Sequence, residues 1–316
     1  MNLAHGIFRF VWNQSWIGLR YKKAVYKRLC NYGEVPDAPF STDFFGLQYK
    51  GNLNNSVEFA LFYLGAFEKS LLFFLQDTML NLKKSHGESP QNFIDIGANI
   101  GQHSLFMSLH ADQVHSFEPY AAVSQKLERH IALNAISNIQ LHKVGLSNKP
   151  EKLDFFAPTG RNQGIGSFDA GTVSKGNTNL GKLALVCGDE YFASNALPDV
   201  DLLKIDVEGF EKNVLEGLQA TLQTSRPIMV VEVTYGNPLS FASMEELAAA
   251  LPEDYSLYRF NNRKADGSKA RRRGAKAKRS GEYELIAFDE WRSRGQDDVI
   301  ACPAEKLELL PRNNRP

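Results

Sequence analysis

Apolar positions follow one rhythm up to about residue 88 and another beyond residue 90. In the first part they recur at helical spacing. Residues 67–84, FEKSLLFFLQDTMLNLKK, repeat apolar side chains every three or four positions and close on Lys83 and Lys84, which suit the negative end of a helix dipole. Residues 5–30 read as a second helix, weakened at Gly18, in which Trp12, Trp16 and other apolar residues are interleaved with basic ones. FFGLQYKGN, residues 44–52, reads as a short strand or hairpin.

Beyond residue 90, short apolar runs alternate with amphipathic stretches. Strands are expected at 92–96, 113–117, 139–144, 201–205 and 227–233, and helices at 101–110, 120–135, 209–223 and 242–250. This alternation predicts βαβ units around a mostly parallel sheet. Two further strands, 152–156 and 182–186, lie in a stretch rich in Gly, Asn and Thr, and YSLYRF (255–260) with YELIAF (283–288) suggests a C-terminal antiparallel strand pair. The expected architecture is therefore α/β. A helical extension with a short hairpin occupies 1–88, and one α/β domain occupies 89–316, with a basic loop inserted at 261–280.

Composition narrows the class. Of 316 residues, 43% are hydrophobic, which suits a globular chain with a large core. No run of 18 apolar residues suggests a transmembrane helix, and the start lacks the apolar stretch of a secretory signal. Cys30, Cys187 and Cys302 are too few and scattered for a disulfide framework or zinc site, so a cytoplasmic, reducing setting is expected. The net charge of zero conceals an asymmetry: residues 1–33 carry +6, residues 261–280 carry +8, and the remainder −14. The two basic segments suit an anionic acceptor or peripheral docking at the inner face of an anionic membrane. Packing of the first helix on its own domain, and simple solvation of the loop, are the plainer readings.

Chemistry concentrates where strands end. In NFIDIGANIGQHS (92–104) a buried strand runs through Asp95 into Gly97 and Gly101. Glycines there permit a tight turn and close approach of a ligand, at the carboxyl edge where such sheets bind ligands. The spacing is Gly-x-x-x-Gly, whereas a dinucleotide site calls for Gly-x-Gly-x-x-Gly. A pyrophosphate would meet Asp95 as like charge. S-adenosylmethionine, with a sulfonium, an ammonium and no phosphate, fits instead. The next strand ends in SFEP, placing Glu118 to accept hydrogen bonds from both ribose hydroxyls. The third passes Val144–Ser147 beside the adenine, where Ser147 is either a cofactor contact or a turn residue.

The fourth strand runs LLKIDVEGFEKNVLEGL (202–218). Lys204 lies within the apolar run and needs a partner, which the acids after it could supply. Asp206 and Glu208 are candidate catalytic residues, and Glu211 reads as an acid favouring the start of a helix. Glu232, at the end of the fifth strand, is the third catalytic candidate. His103 is a weaker base candidate on a helix face. A divalent metal held by carboxylates is compatible with these acids, but no diagnostic ligand spacing marks one, and no metal ligand is assigned.

FIDIGANIGQHSL, SFEP and LLKIDVEGFEKNVLEGL together resemble the FkbM-type methyltransferases of the class I, S-adenosylmethionine-dependent group, and FFGLQYKGN with YLGAFEKSLLFFL resembles the segment preceding that family's cofactor strand. The similarity runs from about residue 43 to 235. It implies a Rossmann-like fold and O-methylation of a hydroxyl on a glycan, lipid-linked sugar or secondary metabolite. By that resemblance Asp95, Gly97, Asn99, Gly101 and Glu118 would bind cofactor, with Asp206 and Glu208 lining the site. Nucleic-acid methylation, suggested by the basic loop, lacks its chemistry: the fourth strand ends Asp-Val-Glu-Gly rather than Asn/Asp-Pro-Pro-aromatic, and no cysteine lies there. A non-catalytic anionic-surface module remains as an alternative and predicts no cofactor affinity.

Overall fold

The computed structural model describes residues 39–314 except 54, 159–165, 265–267 and 269, together with residues 6, 10, 11, 13–18, 20–22 and 24. Half of the first expected helix, residues 5–30, thus lies outside the described residues. Those described at 10, 11, 13, 20–22 and 24 are helical, with a turn at 15 and 16 between them.

From residue 39 the chain forms a hairpin, with β1 (Pro39–Phe44) and β2 (Leu47–Asn52) antiparallel. Its two-residue turn, Phe45–Gly46, has positive φ at both positions, the hand that matches strand twist. Helix α1 (Ser56–Leu64) follows, its first amides at Val57 and Glu58 capped by Asn55 Oδ1. Helix α2 (Lys69–His86) buries Leu71, Leu72, Phe74, Leu75, Thr78, Met79 and Leu82, the apolar stripe read from the sequence.

The chain then weaves the main sheet: β3 (Asn92–Ile96), α3 (Gln102–Met107), β4 (Gln113–Phe117), α4 (Ala121–Leu133) and β5 (Ile139–His142). A small sheet comes next, of β6 (Gly145–Ser147), β7 (Glu151–Ala157) and β8 (Thr178–Cys187), in the order β6-β8-β7. The chain continues through α5 (Gly188–Ser194), β9 (Leu202–Ile205), α6 (Glu211–Gly217), α7 (Gln219–Ser225), β10 (Ile228–Tyr235), α8 (Met244–Ala249) and β11 (Tyr255–Phe260). Last come α9 (Arg271–Ser280), β12 (Leu285–Ala287) and β13 (Gly295–Pro303). The eight strands of the main sheet are ordered β12-β11-β13-β10-β9-β3-β4-β5. β5, β4, β3, β9 and β10 are parallel neighbours, so their carboxyl ends share one edge. This is a Rossmann-like sheet.

Each face has its own core. Phe93 on β3, Val230 on β10 and Ile300 on β13 pack with the hairpin, α1 and α2. Ile94, Ile96, Leu203, Ile205 and Val231 pack with α5, α6 and α7 on the other face. Residues 39–86 therefore share a core with the sheet, although the sequence divides them from it at 88. Tyr49 stacks on His130 of α4 with ring centroids 4.1 Å apart, fastening the hairpin to the parallel half of the sheet.

Three local features differ from the sequence reading. The helix expected over 209–223 breaks at Leu218 into α6 and α7. The inserted basic segment contains helix α9, because Arg, Lys and Ala favour helix although no apolar stripe marks it. The antiparallel pair of β11 and β12 is present, but β11 also pairs with β13, which lies between it and β10. Gln296, Asp297 and Asp298 hide that strand from an apolar search.

Asp297 explains how so polar a strand start is kept. Its carboxylate meets Arg263 Nε at 2.9 Å and Arg292 Nη1 at 2.7 Å, and accepts from Tyr235 Oη at 3.0 Å. The residue is 7% exposed. Asp297→Ala would strand two arginine charges, and the expected loss is about 3–5 kcal/mol. Urea unfolding of the variant against the parent protein measures it; a loss below about 1 kcal/mol would contradict the arrangement.

Candidate functional site

The site lies along the carboxyl edge of the parallel strands, where the loops after β3, β4 and β9 meet. A cleft of about 550 Å³, including its solvent-open part, is lined by Gly97, Asn99, Glu118 and Asp206, with Tyr120, Phe155 and Phe168 on one wall.

The loop after β3 is built around backbone that side chains resist. Gly97 has φ +79°, and a Cβ there would stand 1.8 Å from the Asp206 carbonyl oxygen. Gly101 has φ +83°, and its added Cβ would meet Leu127 Cδ1 at 2.3 Å. The first glycine thus lets the loops after β3 and β9 touch, and the second lets α3 begin against α4. Gly97 and Ala98 both donate their N–H to the Phe117 carbonyl at 3.0 Å.

Glu118 organises the same loop. Its Oε2 accepts the Asn99 N–H at 3.0 Å and its Oε1 the Tyr120 N–H at 2.9 Å. The Ile100 N–H is taken by Asn99 Oδ1 at 2.8 Å. Amides that a pyrophosphate would need are therefore already occupied. Burial pushes the Glu118 carboxyl up to about 7, against the two amide bonds that favour its charge; Asp95 pushes the same way as burial, and Lys204 opposes it.

Asp95 does not line the cleft. It is fully buried under the loop, opposite Lys204 in the β3–β9 register. Ser104 Oγ donates to Asp95 Oδ2 at 2.6 Å, and Ser116 Oγ donates to Ser104 Oγ at 2.7 Å. Lys204, 2% exposed, sets its Nζ 3.5 Å from Asp95 Oδ1 and 3.2 Å from Asp206 Oδ2. Burial disfavours that ammonium, but Asp206, Asp95 and Glu68 outweigh it and hold the lysine firmly protonated. Ser147 also lies away from the cleft: it is buried, donates to Glu151 Oε1 at 2.7 Å, and packs its carbonyl against Gly217.

The three catalytic candidates converge with acids that the sequence did not single out. Asp206 follows β9, Glu208 sits at φ +54° in the next turn, and Glu232 projects from β10. Glu211 was read as a helix-start acid. It is wholly buried, and its Oε1 accepts the Val207 and Gly209 N–H groups, each at 3.0 Å. Asp298 on β13 pairs with Glu232 in the strand register, and Glu68, at the start of α2, feels Asp298, Asp206 and Glu208. Burial pushes Glu208 up to about 8, reinforced by Asp206 and Glu211 and countered by Lys204. Burial, then Asp206 and Glu208, raise Glu232 well above the carboxylate range. His103, 7% exposed, lies 3.8 Å from Glu68 Oε2, and burial and Lys204 hold its ring well below its usual range. No sequence signal marks Glu68 or Asp298, which reach the site only through chain reversal.

A sequence profile described as the Methyltransferase FkbM domain matches residues 95–259, just over half of the chain. The chain belongs to the FkbM methyltransferase family. Among relatives in that comparison, Methyltransferase 1 of Beauveria bassiana is 30% identical over 142 residues, covering 40% of this chain and 57% of that protein. The hexuronic acid methyltransferase AglP of Haloferax volcanii is 27% identical over 162 residues, covering 51% of this chain and 63% of its own. The chain thus spans about three-fifths of the length of these relatives. Among solved structures, an FkbM methyltransferase from Methylobacillus flagellatus matches at 14% identity with TM-score 0.39, covering 71% of this chain and 47% of that one. A methyltransferase from Agrobacterium tumefaciens matches at 9% identity with TM-score 0.45, covering 86% and 72%.

Lys204→Met would leave Asp95 charged and unpaired in the interior. A loss of about 3–5 kcal/mol is expected. Denaturant unfolding of the variant measures it, and restored stability in the double variant Lys204→Met/Asp95→Leu would show that the stranded charge, rather than the lost volume, is responsible.

Proposed function

We propose that this family member transfers a methyl group from S-adenosylmethionine to a hydroxyl oxygen. The observation that carries the reading is one cleft lined both by the Glu118-pinned glycine loop and by the acids Asp206 and Glu208. The residues suit that cofactor. Gly97 lines the cleft with backbone alone, Tyr120, Phe155 and Phe168 offer an aromatic wall for a purine, and Glu118 can accept from ribose hydroxyls. The acids lining the cleft favour a cationic group there.

When bound, S-adenosylmethionine supplies an electrophilic methyl on a good leaving group. The chain's task is then to align the acceptor and receive its proton. Alignment in a site that excludes water contributes about 7–11 kcal/mol in favourable cases. Glu208, with its carboxyl pushed up to about 8, can take the hydroxyl proton once ionised, which favours mildly alkaline pH, while Asp206 is held in place by its pairing with Lys204. Glu232 is the alternative base. A sugar acceptor is in keeping with the relative named as a hexuronic acid methyltransferase; a lipid-linked sugar or secondary metabolite hydroxyl would satisfy the same chemistry.

The cofactor reading fixes a sign with pH. Ionised Glu118 accepts from both ribose hydroxyls, and protonation costs it that role. Affinity for S-adenosylmethionine should therefore fall as pH drops through about 7. Between pH 8 and 6 a loss of about tenfold is expected, and Glu118→Gln should bind weakly with a flatter profile. Calorimetry at both pH values decides this. Equal affinities for variant and parent would remove Glu118 from the site.

A peripheral contact with an anionic membrane is also proposed, because Phe10 is 70% exposed and Trp16 81% exposed within the basic N-terminal segment. Among the described residues no helix is long and apolar enough to cross a membrane. Flotation with vesicles containing anionic lipid should recover the parent protein and lose most of it for Phe10→Ser/Trp16→Ser. Equal recovery of both would exclude the segment as an anchor.

A further inference from the structure

We infer that Asp206, Glu211 and Glu232 form a binding site for a divalent cation of the Mg²⁺, Mn²⁺ or Ca²⁺ class. One carboxylate oxygen from each of the three lies within 4.8 Å of those of the other two. Two ligand oxygens stand no more than about 5 Å apart around Ca²⁺ and about 4 Å apart around Mg²⁺, so the cluster can close on an ion with a movement of about 1 Å or less. The three come from separate elements: the end of β9, the first turn of α6 and the middle of β10. This explains why the spacing in sequence carries no metal signature.

Proximity of acids alone would not make a site. The independent observation is Glu211. It is 0% exposed, its Oε1 is committed to two loop amides, and its Oε2 has no hydrogen-bond partner. A wholly buried carboxylate oxygen without a donor is costly, and a cation would remove the cost. Its two neighbours each keep an oxygen to offer, since Asp206 Oδ2 faces Lys204 and Glu232 Oε2 accepts from Gln296 at 2.9 Å. All-oxygen, all-carboxylate donors select hard cations over Zn²⁺ or Cu²⁺.

The position gives the ion a use. Asp206 lines the cleft, so a cation held there would present open coordination positions to the acceptor. It would orient the acceptor by its hydroxyl and a neighbouring oxygen and make that hydroxyl easier to deprotonate, leaving Glu208 free as the proton acceptor. This role rests on the methyl-transfer reading; the binding does not.

Manganese titration of the chelator-treated full-length protein, followed by the loss of the free-ion paramagnetic resonance signal, tests the site. One ion per chain is expected, competed by Ca²⁺, with affinity at least tenfold weaker in Glu232→Gln and in Glu211→Gln. Because Glu211 also caps a loop, Glu232→Gln is the deciding variant, with its fold checked by circular dichroism. Absence of stoichiometric binding, or unchanged affinity in folded Glu232→Gln, would overturn the inference. S-adenosylmethionine affinity measured on the same preparation separates the two claims. Cofactor binding without manganese binding removes the cation site alone, whereas manganese binding without cofactor binding removes the methyl-donor reading alone.

Discussion

One buried ammonium makes the rest of the site tenable. Lys204 stands between Asp95 and Asp206 at the centre of the sheet, in a region where Glu68, Glu208, Glu211, Glu232 and Asp298 also gather. Desolvated like charges repel strongly, and one lysine lowers the cost for several of them at once. It does so from a strand, where its position is set by the register that places Lys204 opposite Asp95. The serine relay from Ser116 through Ser104 to Asp95 extends this support to α3 and β4. The charge arrangement at the active edge is thereby tied to the innermost hydrogen bonds of the fold.

Around that ion the chain accepts local strain. Asn99 and Glu208 have φ near +53° and +54°, uncommon for residues with side chains, and both lie in loops that line the cleft. Each is held by a specific bond: the Asn99 amide by Glu118, the Glu208 carbonyl by Ser167 Oγ at 3.1 Å. With Gly97 pressed against the Asp206 carbonyl, the loops after β3 and β9 behave as one body. Such fixed contacts between the two loops reduce the ordering cost of binding between them.

Much of this was legible in the sequence. The Asp-x-Gly-x-x-x-Gly run and the acid of SFEP reveal the glycine loop and Glu118 because both are encoded locally, at strand ends that apolar runs make visible. Lys204 announces itself as a charge inside an apolar run, and its partners were named among the acids that follow it; the other partner, Asp95, depends on pairing between β3 and β9. Asp95 and Ser147 illustrate the limit: a residue at the right end of a strand can point inward, and only packing decides. Glu211 looks like an ordinary first-turn acid until its burial is known. Glu68 and Asp298 carry no signal at all, since long-range chain reversal brings them to the site from before and after the parallel strands. β13 was hidden for a related reason. Its polar start is stabilised by Arg263 and Tyr235, distant in sequence, and by Arg292 just before it, rather than by an apolar pattern of its own.

That strand has a consequence for how the site is completed. β13 runs against β10 and sits between it and β11, so a strand that follows both in the sequence must pair between two that precede it. Until it does, β10 has an unpaired edge and Asp298 is missing from the acidic group. The glycine loop needs only strands that precede β13 in the sequence, yet the acid-lined part of the cleft is complete only once β13 has paired with β10, so finishing it requires the long-range pairing that joins the two halves of the sheet.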